Sequence, residues 1–581
     1  MRSRRISLWS SLALFLPALA FGATRLAQDL DTGVEAGDAD THMVANDRLP
    51  PQELSAKVLY QFLLAEIAGQ RERPTLAVST YLELARTTHD PRISQRATEV
   101  ALFARNPKAA LEAARLWTAQ DPDSDRARQT LSGLLVSEGK LSEAQPYLEQ
   151  MLAKAGTQTG PLFMTMHSLL SRHDDKVAVM NLVDALAKPY ARLPEASYAR
   201  ALAALDAGKA DLALVSIKQA ESLHPGWEAA ALLHGQVIAG ASKDEHAARD
   251  YFRSFLDTYP QAQDVRLFYA RMLVDEHDFP GARAQFQAIL KASPDNADYM
   301  LAVALLSIQL QDFDAAEQYL QKVLKLGARD PDAVRYYLGQ VAEERKDWSA
   351  AAQWYGAVES GDQFVPARMR IAVMLSHQNR LQEGRDLLHS LPAETMEQKT
   401  LLVQADAQLL AEAKDYKGAW DVLAEGLKKM PEQADLLYDR AMMAEKLNKL
   451  DLLEADLRKV ITLKPEHAHA YNALGFTLAD RTTRYDEALV LIRKAVELAP
   501  GDPFIIDSLG WVQFRLGHLA DAESSLKDAY QRQPDPEIAA HLGQVLWAEG
   551  RTEEARTMWN VNLKAHPDSE ALQAVVASHP H

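Results

Sequence analysis

Ala470-Tyr471-Asn472-Ala473-Leu474-Gly475 is followed by Tyr485-Asp486-Glu487-Ala488, then by Ala495 and Pro500. Helical spacing runs through both segments, and Gly475 and Ala488 are small residues placed where the two helices of a hairpin would cross. Pro500 ends the second helix, because proline lacks an N–H and disfavours helix in the residue before it. The run is one copy of a pattern. Pro431, Pro465, Pro500, Pro534 and Pro567 step by 34, 35, 34 and 33 residues, and Pro225, Pro260 and Pro294 step by 35 and 34. A fixed period of that length is the mark of stacked two-helix units.

A second register agrees with the prolines. Small residues pair twelve apart at Ala201 and Ala213, Ala270 and Ala282, Ala304 and Ala316, Gly339 and Ala351, Ala407 and Ala419, Gly510 and Ala522, and Gly543 and Ala555. Phe286, Leu320, Tyr355, Leu423 and Leu526 each follow the second small residue by four, one helical turn, and so share its face. Gly475 to Ala488 is thirteen, and the extra residue is expected to lengthen the turn 481–484. Alternating Val/Ile/Thr runs and Asn-Gly hairpin turns are absent.

These residues resemble the tetratricopeptide-repeat (TPR) family from about residue 54 to 567. The resemblance implies an all-α fold, a TPR superhelical solenoid of roughly fourteen helix-turn-helix units. The expected organisation is an N-terminal TPR-like array over 51–155, a divergent joint over 156–196, a C-terminal array over 197–567 and a tail over 568–581. The joint lacks paired small residues and is interrupted at Lys188-Pro189 and Leu193-Pro194.

Ahead of the array, Arg2, Arg4 and Arg5 precede an apolar run from Leu8 to Leu19, and Ala18-Leu19-Ala20 and Ala20-Phe21-Gly22 are small-x-small cleavage sites. Residues 1–22 therefore read as a secretory signal, too short in its apolar core to serve as a comfortable membrane span. Residues 23–50, rich in aspartate and poor in large apolar side chains, read as a disordered acidic leader. The chain has 581 residues and a net charge of -17, and cleavage removes three arginines, giving -17 - 3 = -20. An acidic surface without a basic stripe argues against nucleic acid as a partner. No later stretch has the run of apolar residues that spans a bilayer. With no cysteine in the sequence, disulfides, thiolate metal sites, a cysteine nucleophile and cysteine lipidation are excluded.

Nothing in the chain reads as an enzyme. Phosphate loops, dinucleotide fingerprints, Gly-x-Ser-x-Gly and His-Glu-x-x-His are missing, and no cofactor or metal is implied. Ser524 and Lys527 have a Ser-x-x-Lys spacing but read as surface residues of a second helix. His467 and His469 are two apart, which on a helix puts them on different faces.

The family resemblance carries its groove positions onto Tyr336 and Gln340; His469, Asn472 and Phe476; Phe504, Asp507, Trp511 and Phe514; and Gln544 and Trp547. Exposed aromatics on such a face favour a protein partner. Trp511 follows Gly510 directly and is expected to point from the helix crossing into the groove, with Phe504, Asp507 and Phe514 on the same face at seven, four and three residues.

Leu474-Gly475-Phe476-Thr477-Leu478-Ala479-Asp480, Asp507-Ser508-Leu509-Gly510-Trp511 and His541-Leu542-Gly543 resemble more narrowly the periplasmic TPR adaptors of Gram-negative bacteria. Those adaptors, usually outer-membrane lipoproteins, bind a carboxyl-terminal processing protease and present cell-wall hydrolases to it. The resemblance implies such partners here, with a periplasmic or peripheral outer-membrane location and without the lipid. The alternatives are a structural scaffold in an envelope export or exopolysaccharide assembly, and a hydrolase with an unrecognised site. Intact-mass measurement should find the mature N-terminus between Phe21 and Thr24, and a chain retaining Met1 in the envelope would overturn the export reading.

Overall fold

The first helix of almost every unit ends in the same way. In the computed structural model, which describes residues 55–171, 173–241 and 246–579, Gln311 follows the helix Ala297–Gln309 with a left-handed φ of 59°. The Asp312 N–H then reaches back to the Ser307 carbonyl at 2.8 Å, and the Asp312 carboxylate accepts from the Ala315 N–H at 3.2 Å. One aspartate thus closes one helix and opens the next. Asp278, Asp347 and Asp415 do the same.

Left-handed residues of this kind stand at His277, Gln311, Lys346, Asn379, Lys414 and Asn448, and further out at Glu72, Arg105, Gly139, Gly208, Gly517 and Gly550. The structure therefore repeats with the period of the prolines, and it does so in the N-terminal array too. Each of the eight prolines that mark the period sits two residues beyond the end of a second helix, as the spacing requires.

Where the two helices of a unit cross, a large residue of the second occupies the space of a missing side chain on the first. A Cβ on Gly510 would lie 2.5 Å from Leu526 Cγ, and one on Gly543 would lie 2.0 Å from Trp559 Nε1. Gly339 stands the same way against Tyr355, and Gly475 against Ile492. In alanine units both members of the pair are buried, as at Ala270 and Ala282 or Ala304 and Ala316. Burying a side chain of the size of Leu526 or Tyr355 contributes about 1.5–3 kcal/mol, and it is available only while the backbones stay close.

Among the described residues there are 31 α-helices, from Ala56–Gln70 to Glu570–Ser578, and no strand. In chain order they make fifteen successive pairs and a last single helix, and fourteen of the pairs pack as hairpins, the number of units expected; Thr159–Leu170 and Lys176–Ala187 pack on neighbouring helices instead of on each other. The described residues up to Gly327 form one compact unit and those from Ala328 a second. The signal and the acidic leader lie outside the described residues.

Two expectations change, at the turn after Gly475 and at the C-terminal segment. The extra residue near Gly475 does not lengthen the turn. The helix Ala468–Arg481 takes it up, with 14 residues against 13 in Pro503–Arg515, and ends on an extended Thr482 instead of a left-handed residue. The Thr482 hydroxyl donates to the Leu478 carbonyl and accepts from the Arg484 N–H, so the longer helix still closes. The stretch 156–196, expected as a divergent joint, departs from the hairpin packing of the other units but keeps the core continuous. Its helices Thr159–Leu170 and Lys176–Ala187 insert Phe163, Met166, Val179 and Leu182 into one cluster that runs from Ala65 to Ala203. The segment 568–581 is not merely a tail, because Glu570–Ser578 is a helix that buries Leu572 and Val575 against the last unit.

Gly510→Leu should separate the two helices at their crossing and lower stability by roughly 1–3 kcal/mol or more, read by thermal or urea unfolding. An unchanged unfolding curve would show that Leu526 can move aside.

Candidate partner-binding groove

Within the residues from Ala328 onward, the first helices of the last units, Ala468–Arg481, Pro503–Arg515 and Pro536–Ala548, touch one another in succession. Their shared face is where the family's groove positions fall. Asp502 starts the middle helix by accepting from the N–H groups of Phe504 and Ile505, and Pro503 presets its first turn. That start sets Phe504 in the first turn, 44% exposed, and places Asp507, Trp511 and Phe514 down the same side.

Trp511 is not the exposed ring expected from its place after Gly510. It is 7% exposed. His541, from the next unit, stacks on it with centroids 4.4 Å apart and planes 25° apart, and Phe514 lies 5.4 Å away. The Arg515 guanidinium stands 5.9 Å from its centroid and 4.9 Å from that of Tyr485. Its indole N–H has no hydrogen-bond partner. Asp507, also expected to face the groove, is buried, and His541 Nδ1 stands 2.9 and 3.0 Å from its two carboxylate oxygens. Phe476, from the preceding unit, approaches His541 at 6.1 Å. Three successive units therefore share one cluster.

Burial by itself would lower the His541 pKa, since an imidazolium loses hydration there. The Asp507 carboxylate overcomes that penalty by its charge and its hydrogen bond, with smaller help from Glu537 and Asp480, and the net direction is upward. Arg515 donates to the Tyr485 hydroxyl at 2.7 Å and to the Asp480 carbonyl at 3.2 Å, which ties the middle helix to the preceding unit.

The remaining groove positions divide. His469 is exposed, and Asn472 is half-buried with a carbonyl oxygen that has no partner. Gln544 is half-buried. Trp547 belongs to the end of the array: Trp559 stacks at 5.9 Å, His579 closes at 4.7 Å and the Arg556 guanidinium lies 5.2 Å from the ring. Tyr336 and Gln340 form a separate patch. Tyr336 packs at 5.4 Å on Tyr355, burial pushes its hydroxyl pKa up, and the Gln340 side-chain oxygen has no partner. Arg370 there donates to Glu343, which also accepts from the Tyr355 hydroxyl at 2.9 Å.

The cluster residue that sequence reasoning missed is His541. One signal was available: it lies 34 residues after Asp507, one repeat away. The Ser524/Lys527 spacing builds nothing, since Lys527 pairs with Glu523 at 2.7 Å. Among the described residues no group of three acidic or histidine side chains could hold a metal ion, and no helix is long and apolar enough to cross a membrane.

Family models described as tetratricopeptide repeat match residues 244–297, 270–331, 299–366 and 508–569, and a second such model matches 468–502. A TPR repeat-containing protein of Pseudomonas aeruginosa is 42% identical over 487 residues, which is 84% of this chain and 82% of that one. Among solved structures, a thermophilic TPR protein of Thermus thermophilus is 22% identical, covering 30% of this chain and 96% of its own, with a TM-score of 0.28. The APC/C hetero-tetramer Cut9–Hcn1 supplies a chain that is 15% identical, covering 86% of this chain and 98% of its own, with a TM-score of 0.30.

His541 links the groove to pH. A histidine whose folded pKa is raised contributes stability that is complete below its unfolded value, about 6.5, and is lost as pH rises through the higher folded value. The melting temperature of the wild type should therefore exceed that of His541→Gln most below about pH 6.5, with the gap narrowing as the medium turns alkaline. A gap that stays constant across that range would mean a ring that never ionises.

Proposed function

The chain belongs to the tetratricopeptide-repeat family, and on that premise we propose that it is a non-enzymatic protein-binding adaptor of the bacterial envelope. In this reading it presents substrates such as cell-wall hydrolases to a carboxyl-terminal processing protease. It is exported by residues 1–22 and works in the periplasm, without a lipid on cysteine.

One observation carries the binding role. The shared face of the first helices from Ala468 to Ala548 holds a rigid floor of Phe476, Trp511, Phe514 and His541, while Phe504 and His469 stay open to solvent on adjacent helices. An ordered floor under an exposed aromatic is the make-up of an interface anchor, because the anchor has little freedom left to lose on binding. The narrower assignment to a protease and its substrates is supported by the three stretches of adaptor-like sequence on these same helices.

Burial divides the roles of the two aromatics. Phe504→Ala should leave the melting curve almost unchanged and weaken capture by roughly 1–2 kcal/mol, about five- to thirty-fold. Trp511→Ala should lower the melting temperature, because it empties the space under His541. The measurement is a pull-down from envelope extracts with mass spectrometry, run beside thermal unfolding. A processing protease and hydrolases in the wild-type eluate, depleted with Phe504→Ala, are the expected result. Capture that survives Phe504→Ala intact would move binding away from this face.

A further inference from the structure

His541 is tied down at one end and open at the other. A carboxylate can only accept, so Nδ1, the nitrogen that meets both Asp507 oxygens, carries its hydrogen whether the ring is charged or neutral. Asp507 is buried, Trp511 covers one face of the ring at 4.4 Å, and 17% of the His541 side chain stays open. The edge left to solvent is therefore the one turned from Asp507, which carries Nε2. Among the described residues nothing is hydrogen-bonded to that nitrogen. The ring lies on the groove face, since Trp511, Asp507 and Phe476 around it all hold groove positions. Asp507 follows Phe504 by three residues, so the open edge sits about one helical turn from the exposed aromatic.

We propose that His541 Nε2 is a partner-binding group of this groove: it donates to a carbonyl or carboxylate oxygen of the captured protein while the ring is charged, and turns that oxygen away when the ring is neutral. This role presupposes that the face is the capture surface. The chemistry follows from the fixed Nδ1–H. With that hydrogen committed to Asp507, a second proton can only sit on Nε2 and makes it a donor; its loss leaves a lone pair that repels an oxygen. A donor on a charged ring also makes the stronger bond. The groups around the ring set where the change falls. Pro503–Arg515 brings Asp507, which holds the proton, and Arg515, which stands 5.9 Å from the Trp511 ring and opposes a second positive charge. Ala468–Arg481 brings Asp480, and Glu537 lies one turn back on the ring's own helix, both favouring the charge. The other helices packed on Pro536–Ala548 engage their charged and titratable groups elsewhere. Glu523 of Leu519–Arg532 is held by Lys527 and Arg551, and Tyr530 by Asn562. Arg556 of Thr552–Ala565, and His579 after Glu570–Ser578, lie against Trp547.

The test takes the full chain and, as probe, a processing protease of the same envelope, purified and catalytically inactive. Binding is measured by calorimetry from about pH 6 to about pH 9, and the His541 ring is followed by NMR with and without the protease. Wild-type capture should weaken at least about ten-fold over that range. Saturating protease should raise the pH at which the ring titrates, because a bond made only by the charged form holds the proton on. His541→Gln should lose the slope, whereas Phe504→Ala should weaken capture at both ends and keep it. Salt tells the two acceptors apart: it weakens the acid-side bond to a carboxylate and spares one to a carbonyl. A ring that titrates at the same pH free and bound, while Phe504→Ala still weakens capture, overturns the role of Nε2 and leaves the adaptor reading standing. A slope that persists in His541→Gln overturns it too, placing the titrating group on the partner. The ring titration is read on the wild type, so it decides even where His541→Gln fails to fold. A wild type that captures no protease at any pH overturns both readings.

Discussion

Almost every unit depends on two backbones meeting at a point where one of them has almost no side chain. Gly510 under Leu526 and Gly543 under Trp559 are the extreme cases, and the alanine pairs are milder ones. Close approach is what lets the large residue of the second helix enter the hairpin, and that residue then holds the helices at the angle on which the next unit stacks. Distance and filling are therefore one constraint. A methyl group in the wrong place costs both the fit within a unit and the platform for its neighbour.

That dependence extends to the groove. Trp511 is covered by a histidine from the unit after it, that histidine is anchored by Asp507 beneath it, and Phe476 closes from the unit before. The cluster on the helix that carries Phe504 is thus a property of three units together. A single helical hairpin excised from this region would lack it.

Much of the architecture is legible in the residues. The prolines mark the ends of second helices, and the paired small residues mark the crossings, because both positions tolerate few residue types. The turns after the first helices escape notice for the opposite reason: histidine, glutamine, lysine and asparagine all adopt the left-handed conformation there, held by the backbone bond behind them, so glycine is not needed as a flag. The burial of Trp511 and Asp507 was not legible from their own helix, since what covers them lies a full repeat away. The extra residue near Gly475 was visible as a count, but whether helix or turn absorbs it is decided by Thr482, whose hydroxyl can close the longer helix. The final helix, Glu570–Ser578, is short and follows the last marker proline, so the period offers no partner from which to infer it.

The aspartates that close one helix and open the next have a kinetic meaning. Asp312 ties Ser307 to Ala315, a span of nine residues, and its counterparts do so hairpin after hairpin. Such contacts are local in the chain and need little loop closure to form. Nucleation therefore has many equivalent starting places, with growth proceeding outward by stacking. A lesion in one hairpin interrupts that growth locally and leaves distant hairpins able to form, so partly folded chains would be mosaics of intact and open segments.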